Sequence, residues 1–239
     1  MVDTVAILSG GMANRLRPLT DRVPKALVEV AGKLFVDRQL TLLQSKGIRR
    51  VILCVGHLGE KIERVIGNGK DWGLKVEYSY DGPELLGTAG ALLKARSYLG
   101  DLFWVLYGDS YLDFDYARAA DYFEQEGEGK LGLMTVFANR NKWDKSNVVF
   151  ANGEILQYDK NRQTPEMDHI DYGAAILRQG ALDLITQCPY DLASLYRDLV
   201  DSGLILGIEV MQRFYEIGSP EGLGEAARYF TNNDYRRML

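Results

Sequence analysis

The sequence has no apolar run of about 18 residues, the length a bilayer-spanning helix requires, so a membrane-spanning chain is excluded. Cysteine is scarce: Cys54 and Cys188 are the two in 239 residues, and Cys54 falls inside RVILCV, where it reads as buried strand filler. Histidine is as rare, with two residues. The lone C-x-x-H of Cys54 and His57 has no second pair at zinc-ligand spacing, which removes a zinc site. An excess of positive charge is also missing. The 28 Lys and Arg against 33 Asp and Glu leave a net charge of -5, which argues against a general nucleic-acid partner, because counterion release rewards basic faces. The opening DTVAILSGG lacks the basic region, apolar core and small-residue cleavage site of a leader, and a cytoplasmic protein with no membrane partner is expected.

What is present is an ordinary globular composition, 46% hydrophobic and 10% aromatic, at a length where folding buries roughly 70 to 75% of the extended surface. Short apolar runs alternate with helix-period segments: VAIL, a helix near 35 to 46, VILCV, a helix near 59 to 66, KVEYS, then TAGALLKARSYL. The rhythm continues through LFWVLYGD, a helix from about 115 to 126, LGLMTVFA, and a hairpin NVVF-ANG-EILQY turned by Asn152 and Gly153. IDYGAAIL and LILGIEV supply further strands, helices near 180 to 187 and 191 to 201 lie between them, and Ser219 with Pro220 opens a last helix. Such alternation predicts an α/β fold, a Rossmann-like three-layer α/β/α sandwich on a mixed, mostly parallel sheet, with ligands outside the carboxyl ends of its strands. A single domain over 1–239 is expected, with one half at about 1–115 and a second lobe at about 116–239.

Against the acidic background, LSGGMANRLRPLTDRVPKALVEVAGK concentrates Arg15, Arg17, Arg22 and Lys25 around one acid, Asp21. Pro18 and Pro24 predict an extended rather than helical backbone there. Gly10 and Gly11, directly after a strand, let backbone N–H groups come close to a phosphate. Arginine adds a planar fork and lysine a point charge, a pairing suited to a polyphosphate. Glycines and charges alone also fit a solvated surface loop.

The whole stretch resembles the signature of sugar-phosphate nucleotidyltransferases, G-G-x-G-T-R-L-x-P-x-T, then P-K, then V-x-G-K-P. Gly10, Gly11, Arg15, Leu16, Pro18, Thr20, Pro24, Lys25, Val30, Gly32 and Lys33 match. The resemblance continues through LLGTAGAL, YGDSYLD, YDK, IDYG and EIGSPEGL in the family's order. The wording is most similar to compact heptose 1-phosphate guanylyltransferases. Departures are Ala13 for a glycine, Asn14 for a threonine and Leu34 for a proline.

That resemblance implies a GT-A-like fold, Mg²⁺ as cofactor, and a nucleoside triphosphate and a sugar 1-phosphate as the binding partners, with self-association into a homo-oligomer left open. Leu8, Gly10, Gly11, Asn14, Arg15, Gly87 and Thr88 are then expected around the nucleotide, and Arg15, Lys25 and Asp109 in catalysis. Lys25, Asp159, Lys160, Asp171 and Gly173 are expected around the acceptor. Asp109 and Glu216 are expected to hold the metal. Relatives carry aspartate at the second of these positions, and the extra methylene of Glu216, about 1.5 Å, leaves direct, water-mediated or no metal contact open. Two other outcomes fit the same wording: a CTP-dependent cytidylyltransferase acting on phosphocholine or a phosphonate, and a nucleotide-binding regulator without turnover.

Overall fold

The computed structural model describes residues 2–11, 14–84 and 86–238. Ala13, Leu85 of LLGTAGAL and the side chain of Asn14 lie outside the described residues.

The chain begins with β1 (Thr4–Ser9), followed by β2 (Glu29–Val30), β3 (Lys33–Leu34), α1 (Phe35–Ser45), β4 (Arg50–Val55), α2 (Gly59–Ile66), β5 (Lys75–Tyr80), α3 (Thr88–Lys94) and β6 (Leu102–Tyr107). β5, β4, β1 and β6 lie side by side in that order, all parallel. Their near-continuous apolar runs follow from burial on both faces. In β1, Val5 and Ile7 pack towards α1 and α2, while Ala6 and Leu8 pack towards α3. This alternation makes the three layers, helix on sheet on helix.

The second part adds β7 (Ser110–Tyr111), α4 (Tyr116–Glu126), β8 (Gly132–Phe137), β9 (Val148–Ala151), β10 (Glu154–Tyr158), β11 (Ile170–Arg178), α5 (Leu192–Asp201), β12 (Ile205–Glu209), β13 (Tyr215–Glu216) and α6 (Pro220–Met238). The nine-stranded sheet runs β5-β4-β1-β6-β11-β8-β12-β10-β9. β11 inserts between β6 and β8, antiparallel to both, so a strand from late in the chain abuts the strand that carries the first half's central loop. The hairpin forms as expected, with Asn152 and Gly153 both at positive φ (52° and 83°). Ser219 Oγ accepts the Gly222 N–H at 3.0 Å and so caps α6.

Two local expectations need correction. The basic stretch is not extended but folds into 3-10 turns over Asn14–Leu16, Leu19–Asp21 and Lys25–Leu27. Pro18 adopts φ -85°, ψ -1°, the helical side of its allowed range, and only Pro24 is extended at ψ 146°. The helix expected near 180 to 187 is a 3-10 segment, Gln179–Leu184, and Pro189 follows soon after, where a helix could not continue.

Candidate active site

A cavity of about 270 Å³ opens at the carboxyl ends of β1 and β6. Leu8, Gly10, Gly11, Gly87, Thr88, Lys25 and Asp109 all line it, together with Asp81, Tyr107 and Gly108. The turn after β6 crosses β1 so closely that a Cβ on Gly108 would stand 2.3 Å from Ser9 Oγ and 2.8 Å from the Leu8 carbonyl oxygen. Only glycine fits, and the fit carries Asp109 over the end of β1.

Asp109 and Glu216 are brought together by a ladder too short to see in the sequence. β13 pairs with β7, setting Glu216 opposite Ser110, and the Ile217 N–H donates to the Asp109 carbonyl at 2.9 Å. Lys25 Nζ stands 2.7 Å from Asp109 Oδ2. Arg15 arrives from the first 3-10 turn: a Cβ on Gly218 would lie 3.1 Å from Arg15 Nη2, 3.2 Å from Asp109 Oδ2 and 3.7 Å from Glu216 Oε1. Two cations and two carboxylates therefore converge on one point. Burial and the carboxylates of Asp109 and Asp144 push the Glu216 carboxyl up, and Arg15 and Lys25 pull it back. Gathered carboxylates favour a cation between them. Among the described residues no cluster of three or more His, Cys, Asp and Glu is placed to hold a metal. Two carboxylates fit Mg²⁺ better than a full cage would, since that ion commonly takes one or two carboxylates and completes its shell with water and substrate phosphates.

On the other side of Tyr107, Lys160 Nζ donates to the Tyr107 hydroxyl at 2.9 Å and lies 4.6 Å from the centre of its ring. Asp171 Oδ2 is 3.6 Å away, and its side chain is 2% exposed. Burial works against the Lys160 ammonium, but the Tyr107 oxygen and the Asp171 carboxylate outweigh it and raise its pKa above the ordinary lysine value. A bulge in β11 between Asp171 and Ala175 aims this carboxylate inward. Gly173 N–H donates to Asp171 Oδ1 at 3.0 Å, and Gly173 itself packs beside Tyr107 and Ser110. Asp159 is turned to the backbone, where Oδ1 accepts the N–H groups of Asn161 and Arg162 at 2.7 and 3.0 Å.

At the opposite end of the cavity, Thr88 Oγ1 accepts the Leu192 N–H at 2.6 Å and so joins α3 to α5. The Tyr190 carbonyl in turn accepts the N–H groups of Ala89 and Gly90 at the start of α3. Tyr107, inside the YGDSYLD motif, and Asp81, in the loop after β5, also line the cavity, though neither was given a role from the sequence. The first ends β6 and the second is a lone acid in a loop, and neither leaves a periodic signal.

A mixed α/β sheet thus carries a cavity at its strand ends lined by Gly10, Gly11, Lys25 and Asp109, with Arg15 and Glu216 gathered beside it. The nucleotidyl transferase family model matches residues 4–147, and the chain belongs to that family. It is 30% identical over 97% of its length to a UTP--glucose-1-phosphate uridylyltransferase of Synechocystis sp., covering 64% of that protein. It is 28% identical over 90% of its length to the mannose-1-phosphate guanylyltransferase catalytic subunit beta of Xenopus tropicalis, covering 61% of it. The chain thus spans about three fifths of the length of these relatives. Its fold is shared with HddC from Yersinia pseudotuberculosis in complex with GMP-PN, at a TM-score of 0.78 and 23% identity over 96% of this chain and 100% of that one. It is shared also with UTP-bound UGPase from Acinetobacter baumannii, at a TM-score of 0.77 and 16% identity over 96% and 93%.

Proposed function

We propose that the protein is a sugar-1-phosphate nucleotidyltransferase that joins GTP to a heptose or mannose-type sugar 1-phosphate. The products are a nucleotide sugar and pyrophosphate. The observation that carries this is the convergence of Arg15, Lys25, Asp109 and Glu216 beside the cavity floored by Gly10 and Gly11. An oxygen of the acceptor phosphate attacks the α-phosphorus, the bond from that phosphorus to the bridging oxygen breaks, and pyrophosphate leaves. Such a reaction asks for placement of two anions and neutralisation of charge more than for a base.

Arg15 and the Gly10–Gly11 turn are assigned to the triphosphate and the departing pyrophosphate. Lys25, poised at Asp109, reaches between the α-phosphate and the incoming phosphate. Asp109 and Glu216 would hold Mg²⁺, which when bound supplies further positive charge at the phosphate oxygens. Lys160 is assigned to the acceptor phosphate, with Tyr107 and Asp171 holding its ammonium in place, and Asp159 and Gly173 beside the acceptor sugar. Leu8, Gly87 and Thr88 flank the base, and their small or apolar surfaces leave width for a purine. The guanine choice draws on the guanylyltransferase named among the relatives and on the GMP-PN complex of the same fold.

The test is a matrix of GTP, ATP, CTP, UTP and dTTP against mannose, heptose and glucose 1-phosphates and phosphocholine, read by pyrophosphate release. GTP with a heptose or mannose 1-phosphate is expected to give the highest kcat/KM. A tenfold advantage for UTP or CTP with every acceptor rejects the guanylyl assignment, and preference for phosphocholine rejects the acceptor class.

A further inference from the structure

The loops after β8 and β12 leave the sheet at the edge that bears Asp109. β6 and β8 both run antiparallel to β11, and β12 runs parallel to β8, so the carboxyl ends of all three lie together. From β12 the chain reaches Glu216 through Arg213, Phe214 and Tyr215, and each is held by a different element. Phe214 packs against Phe137 of β8 and Tyr172 of β11, at 6.2 and 6.1 Å between ring centres. Tyr215 stacks on Tyr229 of α6 at 4.0 Å. Arg213 lies over the indole of Trp143, its guanidinium carbon 3.3 Å from the ring centre and 4.8 Å from that of Tyr215.

Trp143 is presented by a loop with a built interior. Asn139, 2% exposed, accepts the Trp143 N–H on Oδ1 at 3.2 Å, and its Nδ2 donates to the Asp144 carbonyl at 2.6 Å and to Ser146 Oγ at 3.2 Å. Asn141 Oδ1 accepts the Ser146 N–H at 2.8 Å, and Gln163 Nε2 donates to the Ser146 carbonyl at 2.7 Å. The tip is fixed from below, and its indole, 38% exposed, meets Arg213 rather than the core. Asp144, the next residue, stands close enough to Glu216 for its charge to bear on that carboxyl.

The stack is expected to add little to stability. Arg213 also pairs with Glu225 of α6, but ion pairs open to solvent contribute little, and a cation on an exposed ring gives a modest gain. Against these, Arg213 Nε is buried with no hydrogen-bond partner among the described residues, and a buried unmet donor costs about as much. Contacts that nearly cancel in free energy still fix a geometry, because a planar guanidinium matches a ring face. Resting on the assignment of Glu216 to the metal, we propose that Arg213, clasped by Trp143, is a positioning residue that holds Glu216 at the magnesium corner. The clasp ties the β8–β9 loop to the segment that carries this carboxylate.

The experiment follows Mn²⁺, a paramagnetic stand-in for magnesium, binding to the full chain by electron paramagnetic resonance. GTP is present, or UTP if that binds more tightly, and no acceptor is added. Trp143→Ala removes the ring, and Arg213→Lys keeps the charge but loses the plane. Each is expected to raise the Mn²⁺ dissociation constant about tenfold, the scale for groups that orient a metal ligand. KM for the triphosphate at saturating metal should stay within about twofold of wild type, since the triphosphate clamps are untouched. Trp143→Tyr keeps an aromatic face and should bind Mn²⁺ as wild type does. Tm should move by no more than about 2 °C in all three variants.

Glu216→Gln separates the two ways of failing. If it weakens Mn²⁺ binding while Trp143→Ala and Arg213→Lys do not, the clasp is overturned and the metal assignment stands. If Glu216→Gln binds Mn²⁺ as tightly as wild type, the metal assignment of Glu216 is rejected and the clasp goes with it. A weaker Mn²⁺ site in Trp143→Ala that comes with a Tm loss above about 5 °C and no recovery in Trp143→Tyr marks a fold-supporting role, and also overturns the proposal.

Discussion

A methyl group on Gly218 would stand 3.1 Å from Arg15 Nη2 and 3.2 Å from Asp109 Oδ2, so those side-chain ends would have to give by a few tenths of an ångström. A Cβ there would push aside the groups assigned to phosphate and metal while leaving the buried core untouched. Gly218→Ala is therefore expected to lower kcat by about tenfold, because small displacements of reacting groups are costly, with Tm changed by no more than about 2 °C, under 1 kcal/mol for a chain of this size. Asp109→Asn is the companion: it removes the charge that faces Lys25 and is proposed to hold magnesium, and turnover at saturating magnesium should fall by about 10² or more. Unchanged kcat in both variants would remove this corner from the reaction. Asp109, Lys25 and Arg15 were legible because each sits in a dense, ordered motif. Asp81 was not, because a single acid has the same appearance in a loop, a core or a site until the chain is folded.

Among the elements, those with a strong period were readable from the sequence. α2 occupies Gly59–Ile66 as expected, and the β9–β10 hairpin turns at Asn152–Gly153. The two-residue strands β7 and β13 were not readable, since two residues carry no alternation. Nor was the direction of β11, because an apolar run is compatible with either orientation in a fully covered sheet. The start of α3 offers a test at this scale. Gly87 has φ 75°, and a Cβ on it would meet the Tyr190 backbone at 2.5 Å, beside the carbonyl that accepts from Ala89 and Gly90. Gly87→Ala combines left-handed strain of about 1 to 2 kcal/mol with overpacking of about 1 to 3 kcal/mol. Urea unfolding should show a loss of roughly 2 to 5 kcal/mol by the sum of those terms. A midpoint equal to wild type would mean that α3 and the Tyr190 segment are free to part.

For the whole molecule, one sheet joins the cavity at the end of β1 to the Tyr107–Asp171–Lys160 group through the β6–β11 pairing. A nucleotide held across the first half should therefore stabilise the chain by mass action. Magnesium and GTP at 100 times Kd correspond to about 2.7 kcal/mol, or roughly 5 to 10 °C in Tm at this chain length. Scanning calorimetry with and without nucleotide checks it, and an unmoved Tm would falsify nucleotide binding at this cavity. No helix among the described residues is long and apolar enough to cross a membrane. The β13–β7 ladder has a further consequence, which concerns the order in which the chain is made. Asp109 leaves the ribosome more than a hundred residues before Glu216, the carboxylate it is paired with across Ser110. A nascent chain that has already folded β1, β4, β5 and β6 holds Gly10, Gly11 and Asp109, but not Glu216. The pair closes only when synthesis has passed β13, so on the proposed function a half-made polypeptide lacks the second carboxylate assigned to magnesium.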